Sequence, residues 1–120
     1  MSDYQMGAAE SRFADIIWDN EPVSSAELCR QSSELFKWKK STTYTVLKRL
    51  CDKGLFQNNK GTVTSLVSKQ EFYSVRSERF VDETFSGSLP AFLTAFTSRK
   101  SLTSEEVDYL RSMIAEYEEE

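Results

Sequence analysis

The sequence has no histidine, only two cysteines and two prolines among its 120 residues, and no long apolar run. Histidine is the commonest metal ligand and a usual general base near neutral pH, so its absence removes much metal and catalytic chemistry. Cys29 and Cys51 lie far apart without a CxC or CxxC partner, and two thiols alone make a poor zinc or copper site. A membrane-spanning helix needs roughly 20 apolar residues, which no segment approaches. These absences argue against a metalloprotein and a membrane protein.

Motifs of catalysis are missing as well. The chain has no nucleophile elbow and no glycine-rich phosphate loop, and its carboxylates are scattered over exposed helix faces. We therefore expect no enzyme, no cofactor and no metal. The two cysteines are predicted to be small buried side chains, with a redox or metal sensor as the alternative. The N-terminus lacks the basic and then apolar layout of a signal peptide, which predicts a cytoplasmic protein without membrane insertion.

Charge, in contrast, is strongly segregated along the chain. The net charge is −4, yet residues 36–60 carry seven lysines and arginines against one acid, Asp52, a local charge of +6. The flanks are acidic, at −5 for residues 1–35 and −6 for residues 81–120. A basic segment between acidic flanks predicts a surface that faces phosphates while the repulsive remainder points elsewhere. The alternative is a solvated helix face with a local surplus of lysine.

Hydrophobic periodicity predicts two helices before the basic segment. With 39% hydrophobic residues, including fifteen aromatic side chains among the 120, the chain can bury a core. The first helix covers residues 8–19. A capping box, Ser24–Glu27, predicts a second helix that starts near Ser25, runs to about residue 33 and buries Ala26 and Leu28.

A third helix follows within the basic segment. Ser41 and Thr42 are predicted to cap it, and Gly54 to close it, because glycine takes the left-handed conformation past a helix end at no steric cost. Its inward stripe is Thr43, Val46, Leu47 and Leu50.

Two short strands then read as a hairpin. They are Leu55–Asn59 and Thr62–Val67, with Asn58–Gly61 as the turn. Three helices followed by a hairpin predict a winged helix-turn-helix domain, which we assign to residues 1–70. The predicted fold class is therefore mainly α with a small β wing.

The remaining third, residues 71–120, is predicted to be a helical dimerisation arm. Capping boxes at Ser68–Glu71 and Thr103–Glu106, and Pro90 in a first turn, mark three short amphipathic helices. Their apolar faces are expected to meet a second subunit; the alternative is that they fold back onto the domain's own core. The predicted dimerisation residues are Phe72, Phe80, Leu89, Phe92, Leu93, Phe96, Val107, Leu110 and Ile114.

The third helix is the candidate for reading DNA. In a helix-turn-helix, the N-terminal part of the second helix of the motif contacts bases, so Thr42, Tyr44 and Thr45 are predicted to read sequence. Arg49 contacts DNA or pairs internally with an acid, and Trp38 is predicted to anchor packing instead of stacking on bases. The predicted DNA-binding residues are Lys39, Lys40, Ser41, Thr42, Tyr44, Thr45, Lys48, Arg49 and Lys60.

These segments resemble one family of winged-helix transcriptional regulators. The matching residues of the DNA-binding part are Ile16–Trp18, Ser25–Leu28, Trp38, Thr42–Leu50 and Lys53–Leu55. The matching segments of the arm are Phe85–Leu89, Phe92–Phe96 and Leu102–Leu110. They resemble the penicillinase-repressor (BlaI/MecI/CopY) family, over nearly the whole chain.

The resemblance implies a bacterial homodimeric repressor that binds a palindromic operator in double-stranded DNA through two winged helices. In the antibiotic-responsive branch, a membrane sensor protease is an indirect partner, and an asparagine–phenylalanine bond in the arm is cut. The matching pair here, Ala95–Phe96, is a candidate cleavage point in which alanine replaces asparagine. The copper-responsive branch ends in CxC pairs, and no cysteine follows Cys51 here, so copper sensing by that route is not implied.

Two functions stay open from the sequence. The leading hypothesis is sequence-specific repression by a dimer that is released by an unknown signal. The alternative is a winged-helix protein-interaction module whose basic face docks an acidic protein partner.

Overall fold

The computed structural model describes residues 5–119, which form six helices and a three-stranded sheet. These residues belong to two compact units, one ending at Ser77 and the other beginning at Glu78. Within residues 5–119, every helix is too short or too polar to span a membrane.

Three helices make up most of the first unit: α1 (Ala8–Asn20), α2 (Ser25–Phe36) and α3 (Lys40–Asp52). In α3 the buried side chains recur at three- and four-residue spacing, which turns one face of the helix toward the core. Only residues 37–39 separate α2 from α3, and Lys37 takes the left-handed conformation (φ 59°) at the turn. The predicted stripe of α3, Thr43, Val46, Leu47 and Leu50, is confirmed as its buried face.

The sheet consists of β1 (Val23–Ser24), β2 (Phe56–Asn59) and β3 (Thr62–Ser65), antiparallel in the order β1-β3-β2. Lys60 and Gly61 connect β2 to β3 with positive φ angles of 53° and 92°. Both central residues of a type I′ turn need positive φ, and this turn matches the right-handed twist of a hairpin. The β2–β3 hairpin confirms the predicted wing, whereas β1 is absent from the sequence prediction.

The core of the first unit joins all three helices to the wing. The Trp18 indole ring packs against Phe56 and Phe72, with centroids 5.0 and 5.3 Å away, and its Nε1 donates to the Val67 carbonyl at 2.9 Å. On the other side of α1, Trp38 packs 5.6 Å from Phe13. Trp38 is thus a packing anchor, as predicted.

Phe72 is an exception among the predicted dimerisation residues. It lies near the start of α4 (Lys69–Phe85), which contains the predicted domain boundary at residue 70 within its first turn. Its side chain is fully buried in the core of the first unit, beside Trp18. The assignment of Phe72 to a subunit interface is therefore wrong, because no surface of this side chain is left for a second subunit.

Two local predictions around the helix-turn-helix are also wrong. α3 begins at Lys40 with Lys39 as its N-cap and no capping side chain, so Ser41 and Thr42 lie within its first turn. Ala26 is exposed on α2, although Leu28 is buried as predicted.

The second unit contains the end of α4, α5 (Leu89–Arg99) and α6 (Ser104–Glu119). The predicted capping box of α6 is complete: Glu106 N donates to Thr103 Oγ1 at 3.1 Å, and Thr103 N donates to Glu106 Oε1 at 2.9 Å. Aromatic rings of α4 and α5 cluster around Phe92, at 6.0 Å from Phe80 and 6.1 Å from Phe96. No described side chain of α5 or α6 is fully buried.

Candidate nucleic-acid interface

The outer face of α3 gathers most of the predicted DNA-binding residues. Its buried positions alternate with an exposed face that runs the length of the helix. The exposed side chains on that face are Ser41, Thr42, Tyr44, Thr45, Lys48 and Arg49. Hydroxyl groups occupy the first turns and cations follow, an order suited to base edges and phosphates respectively.

The hydroxyl groups on this face differ in their freedom to bind a ligand. Thr45 Oγ1 donates to the Ser41 carbonyl at 2.9 Å, so its proton is used within the helix. The Tyr44 hydroxyl lies 3.2 Å from Ser25 Oγ. Thr42 has no side-chain hydrogen bond to any residue between 5 and 119 and is exposed. Of Thr42 and Thr45, it is therefore Thr42 whose hydroxyl proton is free to bind a base or a phosphate.

Ion pairs neutralise part of the basic segment. Lys48 Nζ lies 3.0 Å from Asp52 Oδ2 within α3. Glu10 of α1 accepts a hydrogen bond from Arg49 and lies 3.4 Å from Lys53 Nζ. Of the two alternatives for Arg49, the structure has the internal pair with an acid.

Within the basic segment, residues 36–60, the lysines without an ion pair lie around the beginning of α3 and at the wing tip. Within residues 5–119, Lys37, Lys39, Lys40 and Lys60 have no carboxylate within ion-pair distance. The backbone amides of an uncapped helix start add partial positive charge at that end. Within the basic segment, unpaired positive charge is thus concentrated at the beginning of α3 and at the hairpin tip.

Glu10 and Ser25 take part in this surface, and neither role is predicted by the sequence pattern. The capping pattern predicts only that Ser25 opens α2, yet its backbone N donates to the Gly61 carbonyl of the wing at 2.8 Å. Glu10 was one of several acids on an amphipathic helix. Neither role has a local signal, because both depend on pairing with residues of other elements, from 19 to 43 positions away.

Cys51 lies on the margin of α3, in a groove of about 330 Å³ beside Tyr44 and Asn58. Burial, followed by the negative charge of Asp52, raises the pKa of the Cys51 thiol. The thiolate is the reactive and metal-binding form, so this environment favours the structural role over the sensor alternative. Residues 5–119 contain no cluster of three or more acids and cysteines able to hold a metal ion.

Replacing Glu10 with glutamine is expected to destabilise the protein by about 1 kcal/mol at pH 7, a modest value because Arg49 is half exposed. Burial raises the pKa of Glu10, but hydrogen bonds and charge from Arg49 and Lys53 outweigh it and hold the pKa below its usual range. This stabilisation is present above the unfolded pKa of Glu10 and is lost as pH falls through the folded one. Urea unfolding of both proteins from pH 7 to pH 3 should therefore show the difference shrinking.

Glu34→Gln is the matched control for Glu10→Gln. Glu34 pairs with Arg30 on α2, but its side chain is 66% exposed, and exposed pairs contribute little. A difference between wild type and Glu10→Gln that stays constant down to pH 3 would contradict the pairing described for Glu10.

Comparison with known proteins agrees with this architecture. The profile of the Penicillinase repressor family matches residues 6–116. The penicillinase repressor of Bacillus licheniformis is 26% identical over 117 residues, which cover 94% of this chain and 91% of the relative. The methicillin resistance regulatory protein MecI of Staphylococcus aureus is 24% identical over 115 residues, 92% of this chain and 94% of the relative. With a family match over almost its whole length and a winged helix-turn-helix, this chain belongs to the penicillinase repressor family.

Proposed function

We propose that this bacterial transcriptional repressor binds a palindromic operator in double-stranded DNA as a cytoplasmic homodimer and thereby blocks a promoter. The observation that carries the proposal is the exposed hydroxyl face of α3, with lysines free of ion pairs at its start and at the wing tip. Relatives are named as a repressor and as regulatory proteins, and we infer no enzymatic activity for this chain.

Recognition is assigned to the exposed face of α3 in the major groove. An α-helix fits that groove, and the hydroxyls of Ser41, Thr42 and Tyr44 stand in the first turns, where base contacts are made in helix-turn-helix proteins. Lys39 and Lys40 precede them and Lys60 lies at the wing tip, so cations can hold phosphates on both sides of the reading face. Lys48 and Arg49 contribute less charge than their number suggests, because each faces an acid.

Dimerisation is assigned to the second unit. Phe80, Leu89 and Ile114 are half exposed or more, and α5 and α6 have no fully buried side chain among the described residues. Apolar surface of this extent on short helices is typical of a protein–protein contact. A second copy of the chain fits best, because an interface between two identical copies places the two reading faces in a two-fold arrangement that matches a palindrome.

Release from the operator is assigned to an unknown signal, for which cleavage within α5 is one route. Ala95 and Phe96, the candidate cleavage point, are exposed but lie inside α5. Proteases cut exposed flexible segments most readily, so a cut here requires α5 to unwind. A membrane sensor protease is therefore proposed only as an indirect partner, and mass spectrometry of the protein from induced cells would reveal a cut after Ala95.

A gel-shift titration against the DNA upstream of the protein's own gene tests the core proposal. We expect a retarded complex whose affinity falls steeply with salt, together with weaker binding to a random duplex of equal length. Equal affinity for both duplexes at every salt concentration would sink the claim of a specific repressor. A stable complex with an acidic protein in place of DNA would favour the protein-interaction alternative.

Thr42→Ala is expected to relax specificity at one or two base pairs of the operator, by about 1–3 kcal/mol per lost contact. Its hydroxyl is exposed and lies in the first turn of α3. Binding to a set of single-base operator variants measures the effect.

Lys60→Ala serves as the matched control for Thr42→Ala. Because Lys60 lies in the wing turn and offers only charge, its loss should weaken all sequences alike and reduce the salt slope by about one. A Thr42→Ala variant that weakens every duplex equally, as Lys60→Ala does, would contradict base reading by Thr42.

A further inference from the structure

We infer that Ser25 is a positioning residue for DNA recognition, because its hydroxyl holds the Tyr44 side chain of α3 next to the turn of the wing. This inference rests on the proposed function. It assigns to one buried serine the contacts that connect α3 with the wing turn.

Three elements meet at Ser25. It is the first residue of α2, and pairing of Ser24 with Thr62 brings it beside the wing turn. Its backbone N donates to the Gly61 carbonyl at 2.8 Å, while its Oγ lies 3.2 Å from the Tyr44 hydroxyl of α3. A single residue therefore contacts both the wing and the recognition helix.

The neighbouring serine shows that the Ser25 hydroxyl is not needed to start α2. Ser24 is the N-cap, and its Oγ accepts the hydrogen bond from Glu27 N at 3.0 Å. The two adjacent serines thus have separate partners. The hydroxyl of Ser24 accepts a hydrogen bond from the backbone of α2, and that of Ser25 contacts the Tyr44 side chain of α3. A buried hydroxyl without a partner costs free energy, and Tyr44 supplies a partner for that of Ser25.

Fixing Tyr44 affects recognition because its ring belongs to the exposed face of α3. The ring is partly exposed, and Lys40 Nζ lies 6.0 Å from its centroid. A phenol can donate once and accept as well, so the hydroxyl bound to Ser25 keeps capacity for a further contact. Holding the ring in place before DNA arrives reduces the ordering entropy lost on forming the specific complex. Non-specific binding depends on phosphate charge, which Ser25 does not change.

The test is a double-mutant cycle in the full chain with Ser25→Ala, Tyr44→Phe and both together. The probe is a duplex selected by the wild type from a random pool, and the competitor is a scrambled duplex of the same composition. We expect Ser25→Ala to lower the affinity ratio between the two duplexes by about fivefold, the scale of one net hydrogen bond. The double variant should match Tyr44→Phe alone, because Ser25 acts through Tyr44.

Ser24→Ala is the matched control, since it removes a hydroxyl one residue away. Loss of the Ser24 hydroxyl should lower the urea midpoint and leave the affinity ratio unchanged, whereas Ser25→Ala should lower the affinity ratio. Additive losses in the cycle, an unchanged ratio in Ser25→Ala, or an equal loss in Ser24→Ala would overturn the role of Ser25. A wild type that selects no sequence from the pool would instead overturn the proposed function itself.

Discussion

Replacing Ile114 with aspartate is expected to produce a monomer in dilute solution and to weaken operator binding by about 100-fold or more. In a dimer, binding of one winged helix raises the effective concentration of the other at its half-site, and a monomer loses that gain in affinity. Ile114 lies on α6 with its side chain 57% exposed in the isolated chain. In a two-fold interface the change acts twice, and each new carboxylate would lose its water without gaining a partner. Sedimentation and gel shift on the same samples measure both effects.

Ser112→Asp is the matched control for Ile114→Asp. It adds the same charge to the same helix, two residues away, where the helical repeat turns the side chain to the other side. We expect Ser112→Asp to remain a dimer with operator affinity near that of the wild type. Dimeric Ile114→Asp protein at low micromolar concentration would contradict the proposed interface.

Phe72→Ala is expected to lower the free energy of unfolding of the first unit by about 3–5 kcal/mol, the usual cost of truncating a buried phenylalanine. The Phe72 ring is fully buried against Trp18, and the Trp18 indole also packs on Phe56 of the wing. A cavity at this point would weaken the packing of Trp18 on Phe56 of the wing as well as the packing of α4. Urea unfolding followed by circular dichroism gives the free energy.

Phe80→Ala separates the core role from the interface role on the same helix. Phe80 is 50% exposed and its ring contacts only the aromatic cluster of the second unit among the described rings. Its truncation should affect association more than the unfolding of the first unit. If Phe72→Ala shifted the dimer equilibrium and left stability untouched, Phe72 would belong to the subunit interface after all.

Helix α3 and the hairpin could be predicted from sequence because their signals are local. Val46, Leu47 and Leu50 follow the helical period, and Lys60–Gly61 lies between two short strands. β1 could not be predicted, since a two-residue strand has no periodicity and exists only by pairing with β3. Periodicity likewise predicts that Phe72 faces inward on its helix. It cannot tell whether the side chain packs in the core of the first unit or in a subunit interface, because that depends on residues distant in the sequence.

The candidate site divides in the same way. Exposed hydroxyls and lysines on α3 follow from the helical pattern and the charge count. The start of α3 was misplaced because Lys39 stands where a capping serine is favoured, so propensity pointed to the next residues. The neutralising contact of Glu10 with Arg49 spans α1 and α3, so only the packing of those helices shows that the positive charge of Arg49 is paired.

The placement of the two tryptophans makes the two units spectroscopically distinct. Trp18 and Trp38 both pack in the first unit, and the chain has no third tryptophan. Intrinsic indole emission therefore reports on the winged helix alone, while far-ultraviolet dichroism averages over all helices. Denaturation curves from the two signals coincide if the units unfold together and separate if they unfold one after the other. Unlabelled wild-type protein can therefore reveal whether the first and second units unfold cooperatively.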